Sequence, residues 1–396
     1  MKRVDVAVVG AGPAGLSFAR SLAGSGLSVT LIEQQPRERI AEPAFDGREI
    51  ALTHASRQVM ERLGQWAHLP EGEISPLRDA RVMNGSSPFA LTFAADRRGG
   101  EALGWLVPNH LIRRAAWQAV QGQDGLEIVD GTSLASLNSA DDGVVLSLGS
   151  GQSLAARLLV AADSRFSSTR RMLGIGASMR DFGKTMLVCR MRHELPHHHA
   201  AWEWFGYGKT MALLPLHGER AGAVLTLPPR RVEGLLAMDE AEFGKAITGY
   251  FEHRLGAMVQ DGSRHAYPLV GVYAERFVGR RSALIGDAAV GMHPVTAHGF
   301  NFGLQGQALL ARAIVAAAKA GKDIGAATLL AGYERSHRRA TRPLYEATNA
   351  IAALYTDDRL PARLLRNAAL RAANAVAPFK KVIASHLTQR DAAWSR

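Results

Sequence analysis

Two glycine-bearing segments, one at the start of the chain and one far downstream, constrain the fold more than anything else in the sequence. The first reads Val8-Val9-Gly10-Ala11-Gly12-Pro13-Ala14-Gly15. An apolar run from Val4 to Val9 predicts a strand before it, and a helix is predicted over Ala14 to Ala23, the strand, turn and helix context that a dinucleotide fingerprint requires. Gly10 permits the tight turn, Gly12 lets the backbone approach a pyrophosphate, and Gly15 lets the helix pack close on the sheet. Free amides at the helix N-terminus then hold phosphate. A second predicted strand, Ser28 to Ile32, ends at Glu33, about 20 residues past the glycines, where a carboxylate bonds the hydroxyls of an adenosine ribose.

The downstream segment is Ala283-Leu284-Ile285-Gly286-Asp287-Ala288-Ala289, followed by His293-Pro294 and Gly299-Phe300-Asn301-Phe302-Gly303. Asp287, at a predicted strand end, suits ribityl hydroxyls. The helix expected after the second glycine run points free amides and a positive dipole end at whatever lies above it, which fits the electron-rich edge of a flavin. The first segment alone says dinucleotide; the two together say flavin. Arg48, between an Asp-Gly turn and Ile50-Ala51-Leu52, offers a planar guanidinium to the diphosphate.

A chain of 396 residues with 47% hydrophobic content holds more than one core. The expected fold is α/β: a Rossmann-like FAD-binding domain with an inserted antiparallel sheet that forms the substrate domain, and a helical C-terminus. The FAD-binding domain is assigned to 1–75, 104–178 and 275–345, the substrate domain to 76–103 and 179–274, and a basic helical region to 346–396. Strands are expected at Leu126 to Val129, Val144 to Leu148, Lys184 to Met191, Met211 to Leu216, Ala221 to Leu227 and Ala266 to Tyr273, with a helix over about Glu240 to Leu255. Trp202, Trp204, Phe205 and Tyr207 read first as sheet packing and second as a surface for an apolar ring.

One cysteine, Cys189, excludes an internal disulfide and fits a reducing compartment. His197-His198-His199 does not have the spacing that converges on one metal, so no metal is expected. No apolar run is long enough to span a bilayer. The net charge is +11, and from Arg359 to Arg396 eight basic residues face one acid. Apolar residues recur there every fourth position, as in a helix packed on the body or one lying on anionic lipid. No nucleic-acid motif accompanies the charge.

On these motifs, together with Met211-Ala212-Leu213-Leu214-Pro215-Leu216 and Tyr267-Pro268-Leu269, the chain resembles the class A flavoprotein monooxygenases. Within them it is most similar to the ubiquinone-biosynthesis FAD hydroxylases, in particular the UbiM-type branch. The resemblance covers nearly the whole chain. It implies FAD held by Gly10, Gly12, Ala14, Gly15, Glu33, Arg48, Asn109, Asp163, Gly286, Asp287, Pro294, Gly299, Phe300 and Asn301, with the isoalloxazine beside Pro294 and Gly299. It also implies NADH or NADPH as electron donor and transfer of one oxygen from O2, through a flavin C4a-hydroperoxide, to a polyprenylated phenol or quinone precursor. His293, Pro294 and His298 stand in the flavin environment as candidate catalytic residues. A prenyl reductase, a halogenase or a non-catalytic scaffold of a ubiquinone-biosynthesis complex are the alternatives on the same cofactor frame. The implied location is cytoplasmic, with peripheral contact at the inner face of the membrane through the basic C-terminus. The chain departs from the family pattern at three places: Ser164 replaces the glycine of the Asp-Gly motif, Ala297-His298 replace Gly-Gln, and Gly306 replaces an acid.

Overall fold

Val6 and Val8 turn to one side of the first strand and Ala7 and Val9 to the other, and all four are buried. A strand covered on both faces belongs to the interior of a parallel sheet. In the computed structural model, which describes residues 1–85, 87, 89–94, 102–356 and 389, this strand (Lys2–Val9) lies between Ser153–Ala161 and Val29–Ile32, parallel to both. Ser282–Leu284 and Leu126–Val129 extend the parallel sheet on either side. Helices Pro13–Ser21, Gly299–Lys319 and Ala327–Thr356 cover one face. Strands Leu134–Ser139 and Val144–Leu148 cover the other. The two glycine segments therefore meet at the same end of one sheet, the carboxyl ends of its strands, where open α/β folds bind ligands.

The second sheet has nine strands and runs in the order Val290–Gly291, His265–Ala274, Ala177–His193, Arg220–Leu227, Thr210–Pro215, Ala200–Phe205, Asp79–Asn84 and Ala90–Ala94, with Met258–Gln260 paired to Ala177–His193 off this path. Helices Pro229–Ala237 and Glu240–Tyr250 pack on one of its faces over Leu187, Trp202, Trp204, Leu213 and Leu225. The opposite face looks toward the glycine loops. The pairing is antiparallel as expected, save that Ala200–Phe205 runs parallel to Asp79–Asn84. Those two strands come from separate passages of the chain through the domain, so no hairpin forces them antiparallel.

Three details differ from the reading of the sequence. The helix expected to reach Leu255 ends at Tyr250, because Glu252 and His253 adopt left-handed backbone (φ 52° and 55°). Ala200–Phe205 is a strand, where the sequence reading saw only a cluster of aromatics. Helix Pro229–Ala237, opened by a proline at its first turn, was not anticipated. The basic stretch from Arg359 onward lies outside the described residues apart from Gln389. Among the described residues no helix is long and apolar enough to cross a membrane.

Candidate active site

One continuous cleft of about 1030 Å³ runs from the first glycine loop, past the downstream one, to the open face of the second sheet. Gly10, Gly12, Glu33, Arg48, Asn109, Asp163, Asp287, His293, Pro294, Gly299 and Phe300 all border it. Residues from both ends of the chain are thus brought to one place.

The three glycines of the first loop are there for different reasons. A Cβ on Gly10, whose φ is 108°, would fall 2.5 Å from the Ala162 carbonyl oxygen, and one on Gly15 would fall 1.9 Å from that of Gly10. Protein packing demands both. Gly12 has nothing within 4 Å. No protein atom requires glycine there, and the space above it belongs to the cleft, as a diphosphate lying on the helix N-terminus requires. Downstream, Gly286 (φ 60°) leaves room for the Ala14 methyl, which a Cβ would meet at 2.9 Å. Ala14 and Gly286 are the contact that locks the two motifs together.

Glu33 accepts hydrogen bonds from the backbone amides of Ala11 (2.7 Å) and Gln35 (2.9 Å), bracing the loop while facing the cleft. Asp46 takes hydrogen bonds from Arg48 Nη2 at 2.6 Å and from Asn109 Nδ2 at 2.7 Å. Its carboxyl is buried, a cost that Arg48 and Asn109 more than offset, so its pKa lies below the usual range. The Arg48 guanidinium lies 5.3 Å from the Tyr267 ring centroid, and the Tyr267 hydroxyl donates to the Asp46 carbonyl at 2.7 Å.

Arg113, which the sequence reading did not single out, borders the same end of the cleft, and burial lowers its pKa. No protein group accepts a hydrogen bond from its guanidinium among the described residues. A half-buried cation without an ion-pair partner, facing a space shaped for phosphates, fits FAD. The available signal was its position four residues after Asn109 on helix Asn109–Ala119, which places both on one face.

Other expected residues act on the protein itself. Asp163 accepts from the hydroxyls of Ser167 and Ser168 and from the Thr169 amide, bracing the start of the short helix Ser168–Met172, whose N-cap is Ser167. Arg165 bridges to Asp287 (2.8 Å) and to the Val270 carbonyl (3.0 Å), tying the cofactor end to the second sheet. Asn301 uses its whole amide: Oδ1 accepts from Ser56 Oγ and the Thr53 amide, and Nδ2 donates to the Ala51 and Ala297 carbonyls. Its side chain holds the walls of the cleft and has no capacity left for a ligand.

His293 accepts from the Val295 amide at Nδ1, so the neutral ring carries its proton on Nε2. Burial, with Arg180 adding, pushes it down to about 4. His298 is buried, with its ring 6.0 Å from that of Phe302, and does not border the cleft.

The two glycine replacements are informative. Ser164 has φ 70° and Ala297 φ 53°, both left-handed, and both border the cleft. The backbone conformation that glycine serves is retained without glycine, at a strain of about 1–2 kcal/mol each.

On the sheet side the cleft is walled by Met186, Val188, Ala212, Leu214, Val224 and Leu269, with two carboxyls among them, Glu49 and Glu203. Glu49 pairs with Arg190 at 2.8 Å, but burial lifts it to about 7. Trp202 and Trp204 face the opposite side, into the helices, and Tyr207 is exposed.

The sequence model described as FAD binding domain matches residues 3–348. The chain is 50% identical over 388 residues to "Ubiquinone hydroxylase UbiM" of Neisseria meningitidis, covering 97% of this chain and 84% of that protein. It is 35% identical over 385 residues to "Ubiquinone hydroxylase UbiL" of Rhodospirillum rubrum, covering 97% and 89%. Among solved structures, p-nitrophenol 4-monooxygenase PnpA from Pseudomonas putida superposes with a TM-score of 0.79 at 18% identity, covering 99% of each chain, a likeness of fold. With its glycine loops, paired acids and continuous cleft, the chain belongs to the FAD binding domain family and is an FAD-dependent monooxygenase.

Proposed function

We propose that this protein hydroxylates the aromatic ring of polyprenylated phenol intermediates in ubiquinone biosynthesis, using NADH or NADPH and O2. The carrying observation is the single cleft that joins a dinucleotide loop to an apolar sheet face. A reductase or halogenase would use the same cofactor loops, and it is the kinship with two ubiquinone hydroxylases that favours ring hydroxylation.

FAD would supply the redox chemistry by which phenol, O2, NAD(P)H and a proton give the hydroxylated ring, water and NAD(P)⁺. The chain's own residues do the rest. Arg48 and Arg113 would meet the diphosphate, Glu33 the adenosine ribose, and Asp287 the ribityl hydroxyls. The N-terminus of helix Gly299–Lys319 would offer its amides to the electron-rich edge of the ring system. Neutral His293 has an Nε2–H to donate beside Pro294. The apolar wall from Met186 to Leu269 keeps water from the reacting ring and accommodates the foot of a prenyl chain.

The test is the quinone pool of cells lacking the protein. Accumulation of a precursor missing one or more ring hydroxyls, cured by the wild type and not by Gly12→Val, is expected and names the carbon. An unchanged pool overturns the assignment. Which nicotinamide serves is read from stopped-flow reduction with each donor.

A further inference from the structure

Strand Ala200–Phe205 alternates strictly: Trp202 and Trp204 enter the helix-covered core, and Glu203 faces the cleft. Its register neighbours are Ala212 on one side and Val82 on the other, and Ala212 leads on to Val224 and Val188 across the sheet. Thus a single carboxyl sits in an apolar row. Among the described residues no group donates a hydrogen bond to it and no cation pairs with it.

This arrangement is costly unless something outside the protein uses it. Glu203 is half-buried against the cleft, and a carboxyl withdrawn from bulk water without a protein partner destabilises the fold, whereas leucine in its place would not. Burial pushes Glu203 up to about 8, and no charged group contributes. At neutral pH it is therefore a carboxylic acid, able both to donate and to accept one hydrogen bond, as is a phenol hydroxyl.

We propose that Glu203 is the substrate anchor: its carboxyl hydrogen-bonds the hydroxyl of the aromatic ring and so fixes which ring carbon is presented for oxygen transfer. The inference rests on the function proposed above. The other carboxyl of this wall, Glu49, is anchored through Oε1 to Arg190, itself tied to Glu73, so that its unpartnered Oε2 is fixed in place and not free to turn toward a ligand in this way.

The experiment uses the FAD-loaded full chain with a soluble phenol carrying one short prenyl group. Glu203→Leu keeps the volume and removes the polar group; Glu203→Gln keeps a donor and an acceptor. Binding is read from the change in flavin absorbance, and products by position of the new hydroxyl. Glu203→Leu is expected to weaken the dissociation constant about 10-fold or more, to scatter or abolish hydroxylation at the native position, and to leave FAD content unchanged. Glu203→Gln should stay within about threefold of wild type, a rescue that a purely structural role does not predict. Folding gives an independent readout. Because the folded-state carboxyl titrates above its unfolded value of 4.5, the stability of the wild type falls as pH rises from there through about 8, so Glu203→Leu should raise Tm more at pH 9 than at pH 6. Wild-type affinity and unchanged product position in Glu203→Leu would overturn the anchor and leave the proposed function standing. Failure of the wild type itself to bind or hydroxylate any such phenol would overturn both.

Discussion

The two ends of the cleft are built on opposite plans. At the cofactor end, all but Arg113 of the charges singled out are already engaged: Glu33 with two amides, Arg48 with Asp46, Asp287 with Arg165. At the sheet end the wall is aliphatic and Glu203 has no partner. A site for an invariant cofactor can be made rigid by the protein's own contacts. A site for a substrate that enters and leaves on every turnover keeps its polar group free for the visitor, and accepts the desolvation cost in between.

The largest effects belong to the glycines, and they separate ligand space from protein space. Gly15→Val drives a side chain into the Gly10 carbonyl and is expected to give insoluble or unfolded protein. The Cβ of Gly12→Val has no protein atom within 4 Å, so circular dichroism and melting of the apoprotein should match wild type while FAD binding falls by about 100-fold or more. Equal damage from both substitutions would break the distinction between the two spaces.

Next in size is Arg113. Replacing it by methionine removes a charge-assisted contact worth about 1.5–3 kcal/mol, so FAD affinity should fall roughly 10- to 100-fold in flavin titrations. Arg48→Met should cost less, because Arg48 already has Asp46 as a competing partner. A larger loss from Arg48 would show that the protein's own ion pair orients that guanidinium for the ligand rather than occupying it.

The seam between the halves responds to acid. His293 is neutral in the fold and titrates near 4, below its ordinary value of about 6.5. The unfolded chain therefore binds a proton that the folded one refuses between those values, and stability falls as pH drops from 6.5 toward 4, by on the order of 2 kcal/mol from this group. Chemical denaturation of His293→Leu should show a shallower acid limb than wild type. Identical limbs would assign the acid sensitivity to other histidines that burial pushes down, foremost His337, at about 3, with His193 and His197.

How much of this was legible in the sequence follows the same division. The cofactor end could be read because Gly10, Gly15 and Gly286 answer to local backbone constraints that no other residue meets, and such constraints leave marks in contiguous sequence. The sheet end could not. Its wall is assembled by register from Met186, Glu203, Ala212, Val224 and Leu269, each on a different strand, and in sequence Glu203 is one polar residue between two tryptophans. Asn301 shows a middle case: its position was readable, but only the structure shows that its amide is consumed by Ala51, Thr53, Ser56 and Ala297.

The smallest effect tests whether the cofactor end is as settled as its contacts suggest. Ser164 and Ala297 hold left-handed backbone at the cleft, where glycine would sit without strain. Ser164→Gly and Ala297→Gly should each relieve about 1 kcal/mol, partly offset by the greater freedom glycine gives the unfolded chain. For a protein of this length that amounts to a Tm rise of roughly 1 °C, so denaturant midpoints are the better measure. If the strain serves only the fold, FAD affinity and turnover should be unchanged in both variants. If it holds the loops in the shape the flavin meets, glycine will raise stability while lowering FAD affinity. The rigid end of the cleft would then share the plan of the sheet end, with stability given up in the empty protein and recovered when the ligand binds.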